Sequence, residues 1–521
     1  MTSDVFRGHE TMLHSPILLL RKAAAGGGDG FLASGTEKIS YPDLDRESER
    51  FANFLIELGV APGDRVAAFM FNSTSFIVAW FGTSKAGAIW APVNTSYTGE
   101  WLRYQLSDSE PRVVLVDEEL LATFEAKPVD LGEAVVIVRG TGGSYRRFDE
   151  YQDYSDTPNG WEPAPGDPSH LIYTSGTTGR SKGCVISHNY LCNYSRLGLQ
   201  NVPRDAAETL WTPLPLFHLA GTGHLISTIS IAGKGHFAPR FSLSTFWDEI
   251  EASGAKFVPT LGTAATLIAT APDCEAAARC HGQVRFLSGA ASVDVQELLK
   301  ERFGIQKTYV GALGQSEGGF LTTLRDLPYR PGTCGVATDS FDLRVVDEWD
   351  REIPRGEVGE LVYRPKAPFV MCSGYWRNGG ASADKTRNLW WHSGDFVRMD
   401  EDGYVYFADR GDDRLRKSGE NVSSFELENL FSQHPAVAVP AVHAVPSELG
   451  EDEIKLTVVL RAEAKIDERA LWSWASERMP RFAVPRFIEF RNDLPRNPVG
   501  KILKYQLRQD GVTKATWDAR A

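Results

Sequence analysis

Apolar positions along the chain follow two spacings. Short runs at 65–69, 112–116, 134–138 and 284–287 have the length and β-branched content of buried strands. Between them lie segments of helical period, such as 74–86. This alternation predicts an α/β fold of parallel strands layered with helices. A glycine run at 26–28 predicts a loop, and 163–168 reads as a connection entering a new strand. No internal repeat is visible. After about residue 410 the texture changes to a dense charged segment, DRGDDRLRKSGE, then a compact stretch ending in an amphipathic run at 467–478. The pattern predicts a large N-terminal domain of layered α/β subdomains over 1–411. A small α+β C-terminal domain over 412–521 follows a charged hinge.

Composition narrows the chemistry. A chain of 521 residues, 42% of them hydrophobic, can bury several cores. Its 68 acidic against 55 basic side chains give a formal charge of -13, which disfavours a nucleic-acid surface and favours small-molecule partners. Six cysteines, at 184, 192, 274, 280, 334 and 372, form no CxxC pair, as expected of reduced thiols in a cytoplasmic protein. The first residues carry no apolar targeting core, and the most apolar stretch, 75–93, is interrupted by Lys85. No membrane partner is expected; a homodimer is compatible with the chain.

The most informative segment is LIYTSGTTGRSKG at 171–183, an apolar strand opening into a loop of small and hydroxylated residues that ends at a lysine. Gly176 and Gly179 let backbone amides converge, Thr174, Ser175, Thr177 and Thr178 add donors, and Lys182 adds a positive charge, so the loop suits phosphate. It does not match the GxxxxGK(S/T) loop, because Gly179 does not directly precede Lys182. Gly/Ser/Thr runs elsewhere are commonly plain linkers. The strand before and the lysine after set this one apart.

YTSGTTGRSKG resembles the signature loop of the adenylate-forming superfamily of acyl-CoA synthetases, peptide-synthetase adenylation domains and luciferases. Further motifs resembling that family follow in order. WHSGD at 391–395 implies that Asp395 binds the ribose of ATP; a lone Gly-Asp would otherwise be a turn cap. DRGDDRLRKSGENV at 409–422 resembles the family hinge. It implies Arg410 near ribose and phosphate, a pivot at Asp412, and Gly419 lining a pantetheine tunnel after domain rotation. LPRNPVGKILK at 494–504 implies that Lys501 contacts the substrate carboxylate and bridging oxygen during adenylation, although an isolated lysine there would be plain surface.

On the acid side, PLPLFHLAGTG at 213–223 resembles the motif flanking the acyl pocket, with His218 gating the carboxylate. Amino-acid-activating relatives carry an aspartate there, so amino-acid substrates are disfavoured. Ser288-Gly289-Ala290-Ala291 resembles the turn that lies against adenine and acyl chain. GALGQSE at 311–317 departs from the family pattern at Gly311, Leu313 and Ser316. It retains Gly314, the Ser316 hydroxyl for the α-phosphate, and Glu317, which with Thr174 is the expected magnesium ligand. Leu313 cannot stack an aromatic ring on adenine and Gly311 removes an amide contact to it, together a loss of roughly 1–2 kcal/mol.

The resemblance is nearest to carnitine/crotonobetaine-type CoA ligases, through RKSGENVSSFELE at 416–428 and MPRFAVPR at 479–486. It implies an AMP-forming acid–thiol ligase using ATP, Mg2+ and CoA on a small-molecule carboxylic acid. Three other outcomes stay open: a half-ligase that only thioesterifies an acyl-adenylate made elsewhere, an enzyme that loads a carrier protein, and a non-catalytic sensor.

Overall fold

The computed structural model of the chain describes residues 14–97, 99–126, 129–174, 181–260, 262–289, 293–308, 311–325, 327–328, 330–410, 414–417, 420–446, 452–479, 483–497, 500 and 502–520. Two sheets form the N-terminal part. The first has the order Arg146–Arg147, Val135–Arg139, Val113–Asp117, Arg65–Phe69, Ile89–Pro92, Pro168–Thr174 and Lys182–Ser187. Its neighbours are parallel except for the last pair. The second runs Phe286–Leu287, Phe257–Val258, Leu210–Thr212, Lys234–Phe237, Phe31–Ser34 and Glu37–Ser40, again parallel up to one antiparallel edge. The expected strands and the helix at 74–86, observed as Thr74–Lys85, fall within two residues of their predicted ends.

Both sheets share one hydrophobic core with the helices Pro16–Ala25, Tyr41–Glu57, Thr74–Lys85, His188–Asn201 and Leu219–Ser230. The helix Tyr41–Glu57 shows why these segments are helical. Ser40 accepts from Asp43 N at 3.2 Å as its N-cap, and Leu44, Phe51, Ala52 and Leu55 recur on one buried face. The helix meets Thr74–Lys85 closely because position 82 is glycine, where a Cβ would lie 2.7 Å from Phe51. Lys85, read from the sequence as an interruption of the apolar stretch, is buried and paired. Its Nζ lies 2.7 Å from Asp45 Oδ1 and 2.9 Å from Glu49 Oε1.

A four-stranded antiparallel sheet follows, in the order Phe341–Val346, Val358–Pro365, Trp391–Met399 and Val405–Arg410. Beyond it lies a sheet of Val437–Pro446, Asp452–Leu460, Phe487–Phe490 and Trp517–Asp518. Its own core also takes residues from helices Ser424–Ser432 and Glu468–Ser476. Val405 belongs to the first core and Leu415 to this one. Asp467 caps the amphipathic helix Glu468–Ser476 by accepting from Ala470 N at 2.8 Å. All six cysteines are free thiols, and among the described residues no helix is long and apolar enough to cross a membrane.

Removing one partner of a buried ion cluster strands the other charges. Lys85→Ala should therefore cost about 3 kcal/mol and lower the thermal midpoint of the N-terminal part, with the transition of the C-terminal part unmoved in calorimetry.

Candidate active site

The hydroxyl-rich loop leaves and returns at one point of a sheet edge, because Pro168–Thr174 and Lys182–Ser187 pair with Thr174 opposite Lys182. Ser175, Gly176, Thr177 and Thr178 lie outside the described residues. At its base, Thr174 Oγ1 donates to the Lys182 carbonyl at 3.5 Å. Ser181 is buried: its carbonyl accepts from the Tyr104 hydroxyl at 2.9 Å, and its Oγ lies 3.4 Å from the Tyr97 hydroxyl. The other edge of Lys182–Ser187 carries residues 373–376. Trp376 N donates to Gly183 O at 2.7 Å and Ser373 N to Val185 O at 2.9 Å. That pairing brings Tyr375 beneath the lysine, whose Nζ sits 5.3 Å from the ring centroid, a cation–π contact.

Glu317 enters from a different direction. Gly314–Gln315 and Gly319–Phe320 form a tight antiparallel pair with Ser316 and Glu317 in its turn. The turn is tied down by the Tyr190 hydroxyl, which donates to Ser316 O at 2.9 Å, and by Cys372 N, which donates to Glu317 O at 2.8 Å. The Glu317 carboxylate is buried and accepts from the Tyr375 hydroxyl at 2.7 Å. Burial, then the Glu317 charge, holds the Tyr375 phenol far above its ordinary pKa, so it remains a donor. Lys182 and Glu317 thus face one tyrosine between them.

The unusual residues before the turn have packing reasons. Gly311 has φ +60°, and a Cβ there would lie 2.0 Å from Leu324 Cδ1, so an Asn or Asp at this position would collide with the core. Leu313 is half-buried against the main core, and its amide donates to Thr322 Oγ1 at 2.6 Å.

The remaining sequence candidates are spread around this centre. His218 precedes the helix Leu219–Ser230, beside Phe217 at 4.6 Å between ring centroids. Burial lowers its pKa to about 4, so the ring is neutral near pH 7. Gly289 follows the strand Phe286–Leu287 with φ +105°, and the preceding Ser288 carbonyl accepts from Thr260 Oγ1 at 2.6 Å. Asp395 is buried in Trp391–Met399, its amide donating to Ser393 Oγ at 3.0 Å, with Arg410 as its cross-strand partner. The Arg410 side chain, Ala290, Ala291, Asp412, Gly419 and Lys501 lie outside the described residues. The flanks of Lys501 are described: Arg496 bridges Ile502, and Gly500 N donates to Asn497 O at 2.9 Å, closing a turn. Tyr375 and Tyr190 were missed from the sequence. Tyr375 lies 58 residues from Glu317, and no local spacing connects the two.

Two parallel sheets on one core, a lysine-ended loop at a sheet edge and a separate C-terminal α+β part define the adenylate-forming class of enzyme. Residues 20–376 match the AMP-binding enzyme family and residues 426–501 match the AMP-binding enzyme C-terminal domain, so the chain belongs to this family. It is 28% identical over 493 residues to the crotonobetaine/carnitine--CoA ligase of Salmonella paratyphi B (strain ATCC BAA-1250 / SPB7), covering 90% of this chain and 93% of that protein. ATP-bound MatB from Rhodopseudomonas palustris superposes with a TM-score of 0.83 at 27% identity, over 95% of this chain and 99% of that one. A benzoate CoA ligase from Burkholderia xenovorans LB400 shares the fold, with a TM-score of 0.82 at 23% identity over 95% and 100% of the two chains.

Two measurements check this geometry. Tyr375→Phe should destabilise the protein by about 1–3 kcal/mol, because the buried Glu317 oxygen loses its donor, with the loss read as a lower thermal midpoint. For His218, pH above 6.5 leaves the ring neutral in both folded and unfolded states. Between 6.5 and about 4 the unfolded chain binds a proton that the folded one resists, so stability falls with falling pH. His218→Gln should flatten that fall when thermal midpoints at pH 7 and pH 5 are compared.

Proposed function

We propose that the protein is an AMP-forming acid–CoA ligase that activates a carboxylic acid with ATP and passes the acyl group to CoA. The observation that carries this reading is the convergence on Tyr375 of Lys182, at the end of the hydroxyl-rich segment and over the ring, and of buried Glu317, bound to the ring's hydroxyl. One cation and one anion held at the mouth of a phosphate-suited loop match the needs of a triphosphate and its counter-ion.

In the first half-reaction the substrate carboxylate oxygen attacks the α-phosphorus of ATP. An acyl–O–P bond forms, the α–β bridging P–O bond breaks and pyrophosphate leaves. Thr174, Ser175, Thr177, Thr178 and the amides of Gly176 and Gly179 cradle the phosphates, Lys182 and Lys501 balance the growing charge, and Ser316 donates to the α-phosphate. Asp395 and Arg410 hold the ribose and its phosphate, while Gly289, Ala290 and Gly314 line the adenine and acyl side. His218, neutral near pH 7, closes over the carboxylate without trapping it as an ion pair.

A single carboxylate at Glu317 with the Thr174 hydroxyl is too small a donor set to cage a divalent ion alone. It suits Mg2+, which is commonly held by one or two carboxylates plus substrate phosphates and would supply charge neutralisation there. In the second half-reaction the CoA thiolate attacks the acyl carbonyl, a thioester forms and AMP leaves. The C-terminal domain, 412–521, turns about Asp412, withdrawing Lys501 and bringing Gly419 to the thiol path. A boundary there is supported by the change of core between Val405 and Leu415. Six free thiols fit a cytoplasmic location, and a homodimer is compatible with this reading.

A second reading is favoured by one observation: at the positions where the family resemblance implies adenine contacts, the chain carries Leu313 without an aromatic ring and Gly311 without room for a side chain. A thioesterifying half-ligase would use that site for a ready-made acyl-adenylate.

The test is pyrophosphate release from Mg-ATP across carboxylic acids, with and without CoA, followed by mass analysis. A complete ligase releases pyrophosphate and forms acyl-CoA; a half-ligase forms the thioester only from synthetic acyl-AMP. Lys501→Ala should lower pyrophosphate release roughly 100-fold or more while thioester formation from supplied acyl-AMP stays within a few-fold. Equal loss of both steps would overturn the assigned role.

A further inference from the structure

The strand Trp391–Met399 does not pair evenly with Val358–Pro365. Glu360 stands opposite Phe396 and Val362 opposite His392, so Ser393, Gly394 and Asp395 lie across from Leu361 alone. Three residues against one make a bulge, which bends a strand and re-aims the side chains on it. Asp395, which the ligase reading assigns to the ribose of ATP, is the last of the three.

Two sets of hydrogen bonds fix this bulge. In the first, Ser393 Oγ donates to Leu361 O at 2.5 Å and accepts from Asp395 N at 3.0 Å. In the second, Gly394 N donates to Glu360 Oε1 at 3.0 Å, while Glu360 Oε2 lies 2.9 Å from Nδ1 of buried His392. One carboxylate on the neighbouring strand thus spans from the residue before the bulge to its middle. Its surroundings are charged on both sides. Arg387 stands 3.7 Å from Glu360 Oε2, and Asp350 lies 3.6 Å from the other ring nitrogen of His392 and 3.4 Å from Arg387.

The middle of the bulge is the residue with the least intrinsic restraint. Gly394 has φ +78°, and a glycine there can leave that conformation for many others at little steric cost. Its direction is therefore set by the bond its amide makes, and the acceptor of that bond is Glu360.

We propose that Glu360 is a positioning residue for the nucleotide: by holding Gly394 N and His392 together it sets the direction in which Asp395 leaves the bulge, and with it the preference for a nucleotide with free ribose hydroxyls. This rests on the ligase reading for the role of Asp395. Glu360 acts through the backbone of Gly394 rather than on the nucleotide. Without its acceptor the glycine relaxes, and the Asp395 carboxylate loses the distance and angle that hydrogen bonds to hydroxyls need.

The experiment titrates ATP, 2′-deoxy-ATP and 3′-deoxy-ATP into the full chain by calorimetry, in magnesium buffer without acid or CoA, so that binding is read apart from turnover. Wild type should prefer ATP over at least one deoxy analogue roughly 10- to 100-fold, and Asp395→Ala should bring that ratio within about threefold. Glu360→Met, of similar length but without an acceptor, should do the same while its circular dichroism stays that of wild type. Glu360→Asp, too short to reach both Gly394 N and His392, should also lower the ratio, and it decides the matter if the methionine variant does not fold. Glu360→Gln keeps an oxygen for Gly394 N and should retain most of the preference. A carboxylate with only a structural role would lower the thermal midpoint and leave the ratio untouched. A ratio lost in Asp395→Ala but kept in Glu360→Met, or equal weakening of all three nucleotides by Glu360→Met, therefore overturns the positioning role alone. No preference in wild type, or one that survives Asp395→Ala, overturns the ribose assignment and the proposal with it.

Discussion

The strand Lys182–Ser187 is held on both edges, by Pro168–Thr174 on one side and by residues 373–376 on the other, and the candidate site depends on that double pairing. The first pairing sets Thr174 opposite Lys182 and so clamps the two ends of the phosphate-suited loop together. The second places Tyr375 under Lys182 and within 2.7 Å of Glu317. Cys372, at the start of the same segment, holds the Glu317 carbonyl from the backbone side. Loss of either pairing would separate the lysine from the carboxylate, since the two reach the tyrosine from elements far apart in the chain.

Buried charge is handled in two ways in the N-terminal part. Lys85 is surrounded by Asp45 and Glu49, so its burial is balanced within the fold and its role is packing between two helices. Arg204 is buried with no ion-pair partner among the described residues; its Nη2 donates to Thr228 Oγ1 at 2.8 Å and its guanidinium lies 5.6 Å from the Phe257 ring centroid. The physical distinction is the partner set: two carboxylates balance the lysine, whereas a hydroxyl and an aromatic ring meet the arginine. Gly311 and Leu313 show a related division. Viewed as motif changes they concern adenine; in the folded chain Gly311 is also required by φ +60° and by Leu324 against it.

Local spacing was enough to read the alternating strands and helices, the strand running up to Thr174 and the amphipathic segment of Glu468–Ser476, and family resemblance added the ordered motifs carrying Lys182, Glu317 and Asp395. Each is a short-range property: side-chain period decides strand or helix, and glycine, hydroxyl and cap residues act on backbone within a few positions. The same information could not join Glu317 to Tyr375, Ser316 to Tyr190, or Arg204 to Phe257. Those are long-range contacts, made by which strand edges pair and which helices share a core. Lys85 marks the limit from the other side: as sequence it is a charge breaking an apolar stretch, and only the neighbouring helix, carrying Asp45 and Glu49, makes it a buried ion-pair residue. Sequence alone therefore determined the class of fold and the inventory of chemical groups, because both are written in local pattern. The tertiary structure decided which groups meet and what surrounds each buried charge, because burial and pairing are properties of the packed chain.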